Sequence, residues 1–377
     1  MRAALVLLVL STAAPLHAAP CPTRASWPTV DFGDRIGETA ARHPAEIAAL
    51  EQYAFTLVGA NDERRGIRTD SVVIIQGGDV VYERYARGYQ PQNPHIAWSV
   101  SKSFVNALAG IAVAHGLVAI TDSVCQYVTL PRVDHCDITI GNLLEFASGL
   151  AWRESYENAS PQVSSVLAML YGEGQPDMLA FIGGHDSRDP PGATYMYSSG
   201  DTTFLSAVLD RPLSAAFGSD YEWSSLFDVI GMSSAVWEAD QRGVLVGSSY
   251  LYATTRDFAR FGFFYLNDGC WENQRLLPED WVRDSTSVSA PFRMRPLDTD
   301  PGDVQGRQFW LNRAVPEQNV PTPWPDVPED AYAAEGHWGQ SITIVPSRDA
   351  VIVRTADDRD KTFDMNRFLS LALQVAQ

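Results

Sequence analysis

The sequence predicts an α+β fold in which one antiparallel sheet, built from both chain ends, is flanked by helices and receives an inserted, mainly helical region. Near the N-terminal end, two β-rich runs, 71–76 and 79–84, flank Gly77-Gly78 in the pattern of a hairpin. Near the C-terminal end, 340–345 and 350–355 are further strand candidates. Apolar residues in the middle recur every three or four positions, which is typical of helices. Both ends therefore supply strands and the middle supplies helices.

The helices follow from this spacing and from stop signals. Three apolar residues share one face of 101–115, and Gly116 is a typical helix stop. The segment 314–329, rich in proline and acidic residues, is expected to be a surface loop. The helical candidates are 45–60, 101–115, 139–145, 161–170, 255–266 and 365–375.

The first residues are typical of a signal peptide. Met1-Arg2 gives a short positive start, Ala3 to Ala14 form an apolar stretch short for a membrane span, and small residues favour cleavage near Ala18 or Ala19. We therefore expect a periplasmic or secreted protein without stable membrane association after cleavage. The predicted division is a signal peptide at 1–19, a sheet region at 20–98 and 300–377, and a mainly helical region at 99–299, with the cleft between the last two.

The net charge excludes two classes of partner. The 377 residues include 28 Lys+Arg and 46 Asp+Glu, a formal net charge of −18. An anionic surface repels phosphate backbones and anionic lipid headgroups, so non-specific nucleic-acid and membrane-surface binding are not expected. The 45% hydrophobic content indicates a globular chain with a large core. The oligomeric state does not follow from the sequence.

The four cysteines fit an oxidising compartment. They allow three pairings. The preferred one joins Cys125 to Cys136 in a small loop and Cys21 to Cys270 across the chain. Neither the cysteines nor the seven scattered histidines have the spacing of a zinc site, so no metal is expected.

The candidate nucleophile lies at the start of the helix 101–115. Ser99 and Lys102 form an S-x-x-K pair, and side chains three positions apart share a helix face. An amine next to a serine can act as its base when burial or a neighbour lowers the amine pKa. The alternative is a helix-capping serine beside a solvated lysine, and the pair alone does not decide between them.

The chain contains three motifs in this order: Ser99-x-Ser-Lys-Ser103, Pro191-Gly-x4-Tyr-Ser-Ser199 and Gly336-His-x-Gly-Gln340. Together they resemble the serine β-lactamase-related hydrolases. The likeness runs from about residue 65 to the C-terminus, and it is greatest to EstB-type esterases and 6-aminohexanoate-dimer hydrolases. It implies a β-lactamase/DD-peptidase-like fold and a serine hydrolase, and it supplies no cofactor.

The resemblance assigns the second motif to proton transfer. The family's catalytic tyrosine falls on Tyr197, whose phenol needs a cation to stabilise its anion. Lys102 would supply that cation, so the two would act as one coupled unit. The alternative for Tyr197 is an aromatic core residue. Ser199 is expected to make a polar substrate contact.

The third motif is expected to bind the reacting carbonyl. By the resemblance, the backbone N–H groups of Ser99 and Gln340 form the oxyanion hole, and Gly339 permits close approach. Class C β-lactamases have Lys-Thr-Gly here, whereas this chain has His337-Trp-Gly. The change removes a cation suited to a β-lactam carboxylate, so β-lactamase activity is doubtful. His337 is a candidate substrate contact or a structural hydrogen-bond donor.

A small ester, amide or peptide-like molecule is the expected substrate. Tyr156 matches a region that borders the substrate cleft in the aminohexanoate-dimer branch, so we expect it to contact substrate. The alternatives are a β-lactamase or DD-peptidase acting on β-lactams or cell-wall peptides and, in a different class, a non-catalytic binding protein with this fold.

Overall fold

The computed structural model of the chain describes residues 20–157, 159–294 and 304–377. The predicted signal peptide at 1–19 and the 299/300 boundary of the sheet region lie outside these residues. The strands are β1 Gly33–Asp34, β2 Thr69–Gln76, β3 Asp79–Tyr85, β4 His95–Ile96, β5 Val236–Trp237, β6 Leu251–Ala253, β7 Cys270–Trp271, β8 Gln274–Arg275, β9 Trp310–Leu311, β10 Tyr332–Gly336, β11 Gln340–Val345 and β12 Ala350–Ala356. The helices are α1 Ile36–Arg42, α2 Pro44–Phe55, α3 Ser101–Ala114, α4 Ile140–Leu144, α5 Ser165–Tyr171, α6 Met178–Gly183, α7 Ser199–Phe217, α8 Asp228–Ile230, α9 Thr255–Leu266, α10 Trp281–Ser285, α11 Ala290–Arg293 and α12 Met365–Val375.

The main sheet joins the two chain ends, as the sequence predicts. Its strand order is β1-β3-β2-β12-β11-β10-β9, so the N-terminal hairpin pairs directly with the last strand of the chain. The pairing is antiparallel, as predicted, except that the two-residue β1 runs parallel to β3. A parallel pair needs a long crossover, and α1, α2 and β2 supply it.

Both faces of the sheet are covered because its central strands are apolar at successive positions. In β2, Val73 and Ile75 pack in the core shared with the helical region, whereas Val72 and Ile74 face a second core. α9 packs on the first face, and α2 and α12 pack on the second. Strands buried on both faces read as continuous apolar runs, which is why they were predictable.

The segment 314–329 is a loop with many exposed residues, as its composition suggests, but some of its apolar side chains are buried. Val320, Trp324 and Val327 are buried. The Asn312 side-chain amide donates to the carbonyls of Trp324, Val327 and Pro328 at 3.0–3.1 Å, which satisfies backbone acceptors inside the fold. Composition predicts the loop but not these buried contacts, which depend on one asparagine that satisfies carbonyls inside the fold.

Candidate active site

Ser99 lies in a tight turn, Trp98–Val100, that leads directly into α3. The turn is fixed from behind because the Ala97 N–H donates to the Leu251 carbonyl at 2.7 Å. Trp98 has a φ of +48°, in the left-handed region that few bulky residues occupy. Ser99 remains half-buried and lines a cavity of about 320 Å³.

The Lys102 side chain is fully buried one turn after Ser99. Its Nζ donates to Ser99 Oγ at 2.9 Å, to Ser199 Oγ at 3.0 Å and to the Ser248 carbonyl at 3.0 Å. Burial lowers the pKa of Lys102 to about 8, and the negative charge of Glu154 opposes that effect. The alternative of a solvated lysine is therefore wrong. About a tenth of this amine is neutral at pH 7 and can accept a proton.

Tyr197 lies beside Lys102. The Lys102 ammonium is 5.0 Å from the centre of the Tyr197 ring, which itself lies between Phe146 and Trp310. The tyrosine immediately precedes Ser198, whose hydroxyl caps the N-terminus of α7. The structure therefore brings Ser99, Lys102 and Tyr197 together, with Ser99 and Tyr197 lining the cavity and Lys102 buried behind them. The catalytic roles of these residues stay predictions.

Ser199 and Glu154 lie behind the candidate base. Ser199 is 2% exposed, and its hydroxyl contacts Lys102 and donates to Glu154 Oε1 at 2.6 Å. Its hydrogen bonds in this structure are thus to the protein, and a contact with substrate stays a prediction. Sequence reasoning did not single out Glu154. The only available signal was a carboxylate two residues before Tyr156.

The cavity beside Ser99 has aromatic and acidic walls. Tyr156, Tyr195, Tyr197 and Trp310 line it, together with Glu154 and Glu335, and its described lining includes no Lys or Arg side chain. Such a wall favours apolar ligand groups over anionic ones.

The side chains of Tyr156 and His337 contact each other at this cavity, although one comes from the helical region and the other from the turn between β10 and β11. Their rings stack with centroids 4.9 Å apart, and His337 Nε2 is 2.9 Å from Glu157 Oε1. Burial lowers the pKa of His337, although Glu157 opposes that effect. The Trp338 indole also donates to Glu157, at 3.3 Å. Two predicted substrate contacts therefore form part of one wall, and their binding role stays a prediction.

The start of β11 is held rigidly from behind. The Gln340 side-chain amide donates to the carbonyls of His337 and Ala356 at 3.0 and 2.7 Å, and its oxygen accepts from the Ala356 N–H at 3.0 Å. Arg354 Nη1 donates to the Gly339 carbonyl at 3.1 Å. That carbonyl and the Gln340 N–H belong to one planar peptide, so these contacts also fix the direction of the predicted oxyanion donor.

Position 339 requires glycine because two side chains lie where a Cβ would be. Its φ is +91°, and a Cβ there would lie 2.4 Å from Arg354 Nη1 and 2.6 Å from Asp358 Oδ2, a buried ion pair. The structure thus shows a close approach of Gly339 to this ion pair, and the predicted close approach to substrate stays a prediction.

We expect Gly339→Ala to lower the free energy of unfolding by about 3 kcal/mol, because it combines a left-handed backbone with a clash against buried charges. Gly88 is the matched control, since it has the same φ of +91° and open space at its Cβ. Gly88→Ala should cost only about 1 kcal/mol. Urea unfolding measures both, and equal losses would contradict the role of the ion pair.

Two disulfides join the four cysteines. Cys21 bonds to Cys270, and Cys125 bonds to Cys136. Two disulfides are compatible with an extracytoplasmic location. Among the described residues, no helix is both long and apolar enough to cross a bilayer.

Comparison with protein-family models shows the family of this chain. Residues 54–376 match the family model described as Beta-lactamase. The chain belongs to the β-lactamase family. It is a serine hydrolase of that family, and the predicted β-lactamase/DD-peptidase-like fold is confirmed.

The relatives of this β-lactamase-family chain include differently named hydrolases. It is 24% identical over 367 residues to the 6-aminohexanoate-dimer hydrolase of Paenarthrobacter ureafaciens, covering 90% of this chain and 89% of that one. A Bacillus anthracis protein provisionally named 6-aminohexanoate-dimer hydrolase matches with a TM-score of 0.66 and 20% identity, over 84% and 80% of the two chains. A penicillin-binding protein from Bacillus halodurans matches with a TM-score of 0.59 and 13% identity, over 85% and 97%. The predicted kinship with the aminohexanoate-dimer branch is thus confirmed.

Proposed function

We propose that this chain hydrolyses a small ester or amide through an acyl-enzyme on Ser99. The observation that carries the proposal is the buried Lys102 amine 2.9 Å from Ser99 Oγ, with a pKa lowered to about 8. A serine hydroxyl is a weak nucleophile until a neighbouring base accepts its proton, and this amine lies within reach and is partly neutral near pH 7.

The proposed reaction has two steps. In the first, Ser99 Oγ bonds to the carbonyl carbon as its proton passes to the Lys102–Tyr197 pair, and the oxyanion lies between the N–H groups of Ser99 and Gln340. The leaving group takes the proton, and its bond to the carbonyl carbon breaks. In the second step water attacks the carbonyl carbon of the acyl-enzyme and gives a proton to the same pair. The bond between that carbon and Ser99 Oγ then breaks, the pair returns the proton to Ser99 Oγ, and the acid leaves.

The cavity favours an uncharged acyl group. Its aromatic walls suit apolar or planar substituents, and Glu154 repels a carboxylate close to the scissile bond. His337 occupies the position of the lysine in class C β-lactamases and is paired with Glu157. These features support esters and small amides, rather than β-lactams, as the substrates. They also support Tyr156 and His337 as substrate contacts.

The test is the intact mass of the mature protein after exposure to a fluorophosphonate. We expect one adduct on wild type and none on Ser99→Ala, because only an activated serine reacts. Hydrolysis of short-chain p-nitrophenyl esters should then be detected with wild type alone. Absence of an adduct on a folded wild-type protein would contradict the proposal.

Other functions predict different results. A β-lactamase would hydrolyse a chromogenic cephalosporin as fast as the esters, and a DD-peptidase would release D-alanine from a peptidoglycan-like peptide. A non-catalytic binding protein would bind ligand without covalent labelling of Ser99. We further propose that the protein is exported to the periplasm or secreted.

A further inference from the structure

Glu154 accepts hydrogen bonds on both carboxylate oxygens. Oε2 accepts from the Ser199 backbone N–H at 2.9 Å and from the Trp152 indole at 2.6 Å. Oε1 accepts from the Ser199 hydroxyl at 2.6 Å and from the Tyr156 hydroxyl. Because a carboxylate has no hydrogen to donate, the single hydroxyl hydrogen of Ser199 points at Glu154.

The direction of that hydrogen determines what Lys102 meets. With its hydrogen on Glu154, Ser199 Oγ can only accept from Lys102 Nζ, 3.0 Å away, and the Ser248 carbonyl at 3.0 Å can also only accept. A neutral amine has two N–H bonds and one lone pair. These two acceptors take both N–H bonds, so the lone pair faces Ser99 Oγ, the third neighbour, at 2.9 Å.

We propose that Glu154 is a positioning residue that orients the Ser199 hydroxyl and thereby directs the lone pair of neutral Lys102 at Ser99. This inference rests on the proposed serine mechanism. In the step concerned, the Ser99 O–H bond breaks and its proton moves to Nζ. The oxygen electron pair forms the bond to the carbonyl carbon, and the carbonyl π electrons move onto its oxygen.

An isosteric amide at position 154 should reverse this arrangement. The Ser199 backbone N–H and the Trp152 indole N–H cannot turn away, so the oxygen of a glutamine would face them. Its NH₂ group would then donate to Ser199 Oγ, and the Ser199 hydrogen would turn to the Lys102 lone pair. The lone pair of Lys102 would then accept a hydrogen bond from the Ser199 hydroxyl and would no longer be free to take the proton of Ser99.

Glu154 also acts on the amine through its charge. Among the described residues, the titratable groups that face Lys102 are Glu154 and Tyr197, with Tyr156 one hydrogen bond further away. The Glu154 charge favours the protonated amine. Removing it should lower the pKa of Lys102 and move the acidic limb of the rate profile to lower pH. A role only in folding would not move this limb.

The experiment measures the rate of fluorophosphonate labelling against pH for wild type, Glu154→Gln, Ser199→Ala and the double variant. We expect Glu154→Gln to lower the limiting rate by about 100-fold and to move the acidic limb to lower pH. In the Ser199→Ala background the same substitution should change the limiting rate less than about twofold, because the misdirected hydroxyl is absent.

Glu154→Asp is a second variant, which keeps the negative charge but has a side chain shorter by one methylene group. It should slow labelling without moving the limb. Glu173→Gln is the matched control, since Glu173 is exposed and lies outside the site, and it should label like wild type. Unchanged labelling of Glu154→Gln, or an equal loss in both backgrounds, would overturn the inference while leaving the serine mechanism intact. A wild type that does not label would overturn both.

Discussion

Replacing Lys102 with methionine is expected to lower kcat/KM for a p-nitrophenyl ester by at least about 10³-fold, because the substitution removes the base and keeps its volume. For wild type, kcat/KM should rise with pH through a pKa near that of Lys102, about 8. Only the neutral amine accepts the Ser99 proton, so activity is lost as pH falls below this value. The methionine variant should lack that dependence, which steady-state kinetics from pH 6 to pH 10 would show (a range of about two units either side of the pKa).

The sequence supplies a matched control, since its only other lysine is Lys361. Lys361 is exposed, so Lys361→Met should keep both the rate and the pH profile of wild type. A Lys102→Met protein that is folded, by near-ultraviolet circular dichroism, and retains the acidic limb would show that another group is the base. Tyr197 would then be the first residue to test.

The parts of the fold that were predictable are those where local pattern and tertiary environment agree. The strands 71–76 and 350–355 contain the continuous apolar runs 72–75 and 350–353, because both faces of the sheet are covered. Helix α7, Ser199–Phe217, was not predicted. It begins with a polar run and contains Pro212. Its polar start is buried because Ser198 caps the helix and Asp201 accepts from the hydroxyl of Ser148. The second contact joins residues 53 positions apart, which no local pattern shows.

The residues of the candidate site likewise include some that a local pattern predicts and others that only the tertiary fold brings into place. Ser99 and Lys102 are three residues apart on one turn, so a local motif could identify the pair, and the family resemblance added Tyr197. Glu154 comes close to Lys102 only because its segment folds against the start of α7, where it bonds to Ser199. Trp310, on the other side of the cavity, comes from a strand 211 positions after Ser99. Neither has a local signal, since Glu154 is placed by packing within the helical region and Trp310 by the packing of that region against the sheet.

The two disulfides should differ in their effect on stability. Cys21–Cys270 closes a loop with a sequence separation of 249, and Cys125–Cys136 closes one of 11. In the chain-entropy description, each disulfide restricts the unfolded chain in proportion to the logarithm of its loop length. We expect replacement of Cys21 and Cys270 by serine to cost about 5 kcal/mol of unfolding free energy, and replacement of Cys125 and Cys136 about 3 kcal/mol.

The larger loss requires that the N-terminal segment stay attached in the folded state without its disulfide. Other contacts hold it: Arg24 pairs with Asp349 at 2.7 Å, and the Trp27 ring packs edge-on against Phe263 at 5.8 Å. The native structure therefore keeps most of its contacts, and the change falls on the unfolded chain. Urea unfolding of the two serine double variants measures the difference. If the short-loop variant lost as much stability as the long-loop variant, the disulfides would act mainly on the folded state, and the entropic account would be wrong for this chain.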